Sequence, residues 1–225
     1  MPEAVVLSIQ VGMPKVLRHE DFPDDVDREW SSGIFKQLVE GPVYVGLENL
    51  EGDGQADRAH HGGEDRATLM FSHLHYDGWE KDLGKALPPG AFGENLTVDS
   101  LTEDDVCLGD IWESDHVRFE VSQPRIPCYK LSRRIGAEGL HLKVMDAMAG
   151  GWYCRTIQPG VIQAGDTIRL ADRPHPEWPV RRAFQEFVFG KENERALTEL
   201  GNLKALSLLW SERIPARLEK LRTAG

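Results

Sequence analysis

Between Val5 and roughly Leu170 the chain never stays apolar for long. Short hydrophobic strings are cut by Gly, Pro and Asp, as in Pro42-Val43-Tyr44-Val45-Gly46-Leu47, Val117-Arg118-Phe119-Glu120-Val121 and Thr167-Ile168-Arg169-Leu170. β-Branched and aromatic residues at this spacing, bounded by turn formers, specify short strands. The pattern predicts a mainly β domain over residues 1–175, closed as a barrel. Two turns share one plan, Leu108-Gly109-Asp110-Ile111 and Ala164-Gly165-Asp166-Thr167-Ile168. In each, Gly supplies a permissive backbone and Asp can bond the turn before a strand leaves. Two helices are expected to cover the barrel, one from about Arg66 to Leu83 with Leu69, Met70, Leu74 and Trp79 on its apolar side, the other around Leu140 to Met148.

A composition change follows the hinge-like Arg173-Pro174-His175-Pro176-Glu177-Trp178-Pro179. Ala183 to Arg222 is rich in Leu, Ala, Glu, Lys and Arg and lacks β-branched alternation, which predicts a three-helix segment over residues 176–225. The fold class is therefore α+β. Leu203, Leu206, Leu209 and Trp210 read as an apolar core stripe rather than a ligand box.

The chain has 225 residues, with 26 Lys and Arg against 37 Asp and Glu, a formal charge of −11. Such a field repels a phosphate backbone, so nucleic acid is excluded as the expected partner. An anionic ligand would need a local cluster of backbone N–H groups and cations working against that field. The amino terminus shows no basic opening followed by an apolar run, and no segment has the length of a membrane span, so a cytoplasmic location with no membrane association is expected. The three cysteines, Cys107, Cys128 and Cys154, form no CxxC pair and no evident disulfide framework.

Three segments carry candidate chemistry. In Ser122-Gln123-Pro124-Arg125-Ile126-Pro127-Cys128-Tyr129-Lys130 two prolines fix φ near a sulfur and two cations flank it. Cations beside a sulfur favour thiolate, which is both a nucleophile and a soft-metal ligand. The plainer alternative is a packed cysteine acting as a small hydrophobe. In Asp57-Arg58-Ala59-His60-His61-Gly62-Gly63-Glu64-Asp65-Arg66 a Gly-rich turn before a helix could form an anion-binding concavity, with Arg66 adding charge. A zinc site on His60 and His61 is disfavoured, since adjacent rings rarely converge on one metal; a structural turn is the other alternative. Gly93-Glu94-Asn95-Leu96 offers an acid and an amide on a tight loop, where Asn95 could equally cap the turn.

These segments occur in one order: Gly52-Asp53-Gly54-Gln55-Ala56-Asp57, His61-Gly62-Gly63, Gly93-Glu94-Asn95-Leu96, Gln123-Pro124-Arg125 with Pro127-Cys128, and Gly151-Trp152-Tyr153. In that order the chain resembles a MOSC domain, the module named after the carboxy-terminal domain of molybdenum cofactor sulfurases, and specifically its YiiM-like branch with a carboxy-terminal three-helix extension. The resemblance implies a β-barrel with a cofactor cleft, a molybdenum ion held by a pyranopterin, and Cys128 as the protein ligand to the metal. Arg125, Lys130, Asn95, His61, Gly62, Gly63 and Arg66 fall in matching motifs and become candidate cofactor contacts. The implied activity is reduction of N-hydroxylated compounds, such as 6-hydroxylaminopurine, to amines, with an external flavoprotein reductase as electron donor. Breaking N–O takes two electrons and two protons, which side chains do not supply alone. His61, or Glu94 if burial raises its pKa, is the expected proton donor, so Cys128, His61 and Glu94 form the candidate catalytic set. Cys154 departs from the motif and is expected to be a packed strand residue, as is Cys107. Two rivals stand beside this reading: a sulfur carrier working through a Cys128 persulfide, and a non-catalytic cofactor-binding module whose helical tail docks a partner.

Overall fold

The computed structural model describes residues 2–18, 29–56, 62–190 and 193–224. His61 therefore lies outside the described residues. The strands are β1 (Glu3–Val11), β2 (Lys15–Arg18), β3 (Glu29–Ser32), β4 (Gln37–Leu38), β5 (Val43–Val45), β6 (Thr68–Ser72), β7 (Leu96–Val98), β8 (Ile111–Glu113), β9 (Arg118–Pro124), β10 (Trp152–Gln158), β11 (Gly160–Ile162) and β12 (Thr167–Asp172). Seven of them close a barrel. β1 pairs with β12 through Glu3, Ala4 and Val5 and with β7 from Val6 to Ile9, and the circuit runs from β12 through β8, β9, β10, β6 and β7 back to β1. An irregularity between Val6 and Ser8 shifts the register where β1 changes partner.

Both Gly-Asp turns do what their composition suggests. Gly109 and Gly165 have φ of 80° and 95°, and Asp110 Oδ2 and Asp166 Oδ2 each accept the N–H three residues back, from Cys107 and Gln163, just before β8 and β12 begin.

The expected helix from Arg66 to Leu83 is corrected. The segment holds a 3-10 turn (Glu64–Arg66), then β6, a second 3-10 turn (His73–His75) and only then a helix, α1 (Tyr76–Leu83). β6 lies between β10 and β7, so all five of its residues are buried. A strand covered on both faces has no alternation to distinguish it from a buried helix. Leu74, assigned to the apolar face, is 58% exposed.

Four of the remaining helices follow from the sequence and one does not. α2 (Tyr129–Ile135), directly after Cys128, was not anticipated, whereas α3 (Leu140–Asp146) falls where expected. The tail holds α4 (Val180–Phe184), running on into a π-helical turn, then α5 (Glu194–Gly201) and α6 (Leu208–Ala224). Phe71, Phe92, Leu131, Ile135, Leu140 and Val144 form one apolar cluster that fixes α2 and α3 against the β6 side of the barrel. The tail packs into the main core: Val180, Phe187, Leu200, Leu206 and Trp210 share a cluster with Val121, Trp152 and Cys154. The Phe187 and Trp210 rings stack with centroids 3.8 Å apart. The Leu and Trp stripe is thus core, as read. Among the described residues no helix is long and apolar enough to cross a membrane.

Trp210→Ala should remove a fully buried indole and its stacking partner's contact, costing about 3–5 kcal/mol. Urea unfolding followed by far-ultraviolet circular dichroism will read this as a lower midpoint; a midpoint unchanged from the parent would show that the tail contributes nothing to the core.

Candidate functional site

The site forms where β9 ends and β10 begins. After Pro124 the chain crosses the start of β10 closely enough for Arg125 N–H to donate to Gly151 O at 2.9 Å. Two glycines permit that crossing. A Cβ on Gly150 would stand 2.6 Å from Arg125 O, and one on Gly151, whose φ is 82°, would stand 2.2 Å from Met70 O. The chain then turns through Pro127 to Cys128, the residue before α2. Cys128 is half-buried and lines a cleft together with Arg125, Lys130, Arg66, Asn95 and Tyr153.

The facing wall comes from two loops pressed together, residues 32–36 and 53–56. Gly33 is so close to the second loop that a Cβ there would be 2.2 Å from Gly54 O. Asp53 joins these walls: its side chain is wholly shielded, Oδ1 accepts from Gly12 N–H at 2.9 Å and from Lys36 Nζ at 2.5 Å, and Oδ2 accepts from Asn95 Nδ2 at 2.9 Å. The Lys36 side chain, 8% exposed, also lines the cleft. Burial lowers the Lys36 pKa, while the Asp53 charge and hydrogen bond oppose that shift.

Among the described residues the cleft presents Lys36, Arg66, Arg125 and Lys130 against one carboxylate, Asp53. That is the local cationic cluster a protein of charge −11 needs to hold an anion. Arg125 is 5% exposed; its Nη2 donates to Phe92 O at 2.9 Å, while the buried Nη1 has no hydrogen-bond partner among the described residues. An unfilled buried guanidinium donor is costly unless a ligand completes it. Lys130 Nζ donates to Ser31 O at 2.9 Å and so bridges α2 to β3. Desolvation pushes the Tyr153 phenol up, with Arg125 and Arg66 pulling it back. Tyr153 and Lys36 are site residues that the sequence reading missed: Tyr153 lay inside a quoted motif without a role, and nothing around Lys36 in sequence marks it as buried.

The other predicted residues have varied placements. Asn95 lines the cleft, but its amide donates to Gln10 O and Asp53 while its Oδ1 accepts Leu69 N–H at 3.0 Å, so its first role is to tie β6 to the loop before β7. Glu94 is fully buried and does not line the cleft. Its carboxylate accepts the N–H groups of Gly90 and Phe92 and the hydroxyls of Thr97 and Tyr76. Burial, and then the Glu94 charge, push the Tyr76 pKa up. Gly62 and Gly63 stand outside the cleft lining, Gly63 with φ of 88° before the turn that carries Arg66.

Cys154 is fully buried in β10, as expected, and desolvation pushes its thiol up. Cys107 is buried too, its pKa pushed up to about 11 by burial and then by Asp110. Among the described residues no cluster of three or more His, Cys, Asp or Glu could cage a metal. A metal centre here would lean on Cys128 and on ligands brought by a cofactor. The residues fit such a group: a half-buried thiol, four cations and an unfilled guanidinium donor face one cleft.

Comparison with known proteins shows the family and the fold. The family model for the MOSC domain matches residues 57–169. The chain is 35% identical to the uncharacterized protein YflK of Bacillus subtilis, over 96% of this chain and 95% of that protein. A protein of Gibberella moniliformis named as a reductase is 38% identical over 68% of this chain, a stretch that spans 28% of that longer protein. The crystal structure of YiiM from Geobacillus stearothermophilus superposes with a TM-score of 0.79 at 32% identity, covering 96% of this chain and all of that one.

The three thiols should differ sharply in reactivity. Under native conditions at pH 8 iodoacetamide should alkylate Cys128 alone, since Cys107 and Cys154 are buried with raised pKa values; in denaturant all three should react. Peptide mass spectrometry reads the outcome, and equal native labelling of Cys154 would contradict the placement of β10.

Proposed function

This chain belongs to the MOSC domain family, and from that premise we propose that it is a molybdenum-cofactor-dependent reductase that converts N-hydroxylated compounds, of the 6-hydroxylaminopurine type, to amines. The observation that carries this reading is the pairing of a half-buried cysteine with four cations in one cleft of an otherwise acidic protein. When bound, a molybdenum pterin supplies the two-electron redox couple that side chains lack. Cys128 is its protein ligand. Arg125, through its unfilled Nη1, together with Arg66 and Lys130, holds the anionic part of the cofactor. The Gibberella relative is named a reductase, which supports the oxidoreductase class. An external flavoprotein donor and a cytoplasmic setting complete the proposal.

The chain's own part is positioning and desolvation. Asp53 and Asn95 join the two walls, and Glu94 holds the loop from Gly90 to Thr97 through three hydrogen bonds and ties it to Tyr76 of α1 through a fourth. A rigid first layer of ligands needs such support to hold its geometry. With Glu94 filled in this way, its role is structural rather than acid–base.

Protein purified from a host that makes the cofactor should contain molybdenum, and oxidative release should yield the fluorescent pterin. Cys128→Ala should lose the metal and reduce 6-hydroxylaminopurine only at background rate, with near-ultraviolet circular dichroism unchanged. Undiminished reduction by that folded variant would overturn the assignment of Cys128.

A further inference from the structure

Reduction of an N-hydroxylated base delivers a proton to nitrogen as well as electrons, and among the described residues few groups facing the cleft can hold one. Arginines do not give up protons at working pH. Lys130 donates to Ser31 O, lies over the Trp30 ring and has no carboxylate paired with it among the described residues, and Glu94 is fully buried outside the cleft lining with its oxygens filled. The Tyr153 phenol is pushed up by desolvation, away from the range where an acid both holds and yields its proton near neutrality. Lys36 is a cleft cation held by a shielded carboxylate. Its ammonium carries three N–H donors and among the described residues makes one hydrogen bond, to Asp53 Oδ1 at 2.5 Å; its side chain is 8% exposed, and it borders the same cleft as Cys128.

We propose that Lys36 is the general acid of this reaction, its ammonium held by Asp53 and giving a proton to the substrate nitrogen as the N–O bond breaks. The inference rests on the reductase reading above. The balance is R–NH–OH + 2 e⁻ + 2 H⁺ → R–NH₂ + H₂O. The electron pair comes from the external reduced flavin. One proton passes from Lys36 to nitrogen, and the other, from solvent, leaves with oxygen as water. The neutral amine left on Lys36 is reprotonated by solvent through the cleft.

The surroundings suit that task. Asp53 and Glu94 favour the ammonium, Arg134 opposes it, and burial, the largest influence, lowers its pKa. A general acid acts while protonated, so the rate is full below the Lys36 pKa and falls as pH rises through it. Because that pKa is lowered, the fall comes below the ordinary lysine range near about 10.4. A lysine kept only to neutralise Asp53 would be replaceable by arginine.

The test uses the full chain loaded in a cofactor-competent host, reduced methyl viologen as donor and 6-hydroxylaminopurine as substrate. Wild type, Lys36→Arg and Asp53→Asn are compared for molybdenum and pterin content, for kcat and kcat/KM against pH, and for the Lys36 ¹³Cε resonance titrated in wild type and Asp53→Asn. Lys36→Arg keeps a cation beside Asp53, which guards against misfolding. We expect it to load cofactor like wild type yet lose about 10²–10⁴-fold in kcat together with the alkaline limb. In Asp53→Asn the limb and the ¹³Cε midpoint should move together to lower pH, a shift that a structural role would not produce. Lys36→Arg within threefold of wild type and with the limb intact would overturn the proposal, as would a ¹³Cε midpoint that does not track the limb. Failure of Lys36→Arg to take up cofactor would make Lys36 a holding residue and overturn it too. If loaded wild type reduces no N-hydroxylated substrate, the reductase reading itself fails, and this role for Lys36 falls with it.

Discussion

A carboxylate removed from water must have its lone pairs filled, and Asp53 meets that demand with donors from three distant parts of the chain: Gly12, Lys36 and Asn95. Breaking any one leaves charge or donors stranded in a medium where neither is cheaply solvated. The consequence is architectural. Gly12 follows β1, Lys36 precedes β4 and Asn95 precedes β7, so one side chain sets how the barrel rim and the facing loops sit against each other. Asn95 passes the constraint on, because its Oδ1 receives Leu69 N–H in β6, and Leu69 is paired with Tyr153 in β10. The cleft wall is therefore one connected network from Lys36 to Tyr153, anchored at a shielded carboxylate.

The electrostatics of the cleft run against those of the whole molecule. A chain of charge −11 repels anions at a distance, yet among the described residues the cleft gathers Lys36, Arg66, Arg125 and Lys130 around a single carboxylate. Inside a few ångströms the local cations dominate, since salt screens the distant surface charge over roughly 8–10 Å while partly buried cations are screened much less. The arrangement selects ligands small enough to enter the cleft and disfavours an extended polyanion, which would also meet the acidic exterior.

Much of the architecture was legible because it rests on local rules. The Gly-Asp turns announce β8 and β12 through residue types that act on their own backbone, and the tail's shift to Leu, Ala, Glu and Lys announces helices in the same way. Cys128, Arg125, Lys130 and Asn95 were readable because motif residues happen to converge on one cleft. What was missed depends on tertiary context. Thr68–Ser72 was read as helix because burial on both faces erases the period-two signal. Glu94 was read as the alternative proton donor to His61; the structure buries it away from the cleft lining, where it accepts from Gly90, Phe92 and Thr97 of its own loop and from Tyr76, which the fold brings to it. Lys36 gave no sign at all, since a lysine between Phe35 and Gln37 is by default a surface residue, and only the position of Asp53 in space makes it a buried one.

The helical tail reaches the site by a similar chain of contacts. Asp65, the neighbour of Arg66, receives Leu208 N–H, the first amide of α6, on Oδ2 at 2.7 Å and the Arg155 guanidinium on Oδ1 at 2.5 Å. Arg155 Nη1 also bonds Glu120 and Ala205 O, joining β10, β9 and the loop before α6. Ser122 adds a second tie: its carbonyl accepts Ser207 N–H, and its Oγ lies 2.5 Å from Asp65 O and 3.1 Å from Tyr153 O. The backbone on either side of the cleft cation Arg66 and of Tyr153 is thereby fastened to the tail. A segment that looked separable in sequence is thus fixed to the barrel twice, by the packing of Trp210 into the core and by polar contacts beside Arg66 and Tyr153.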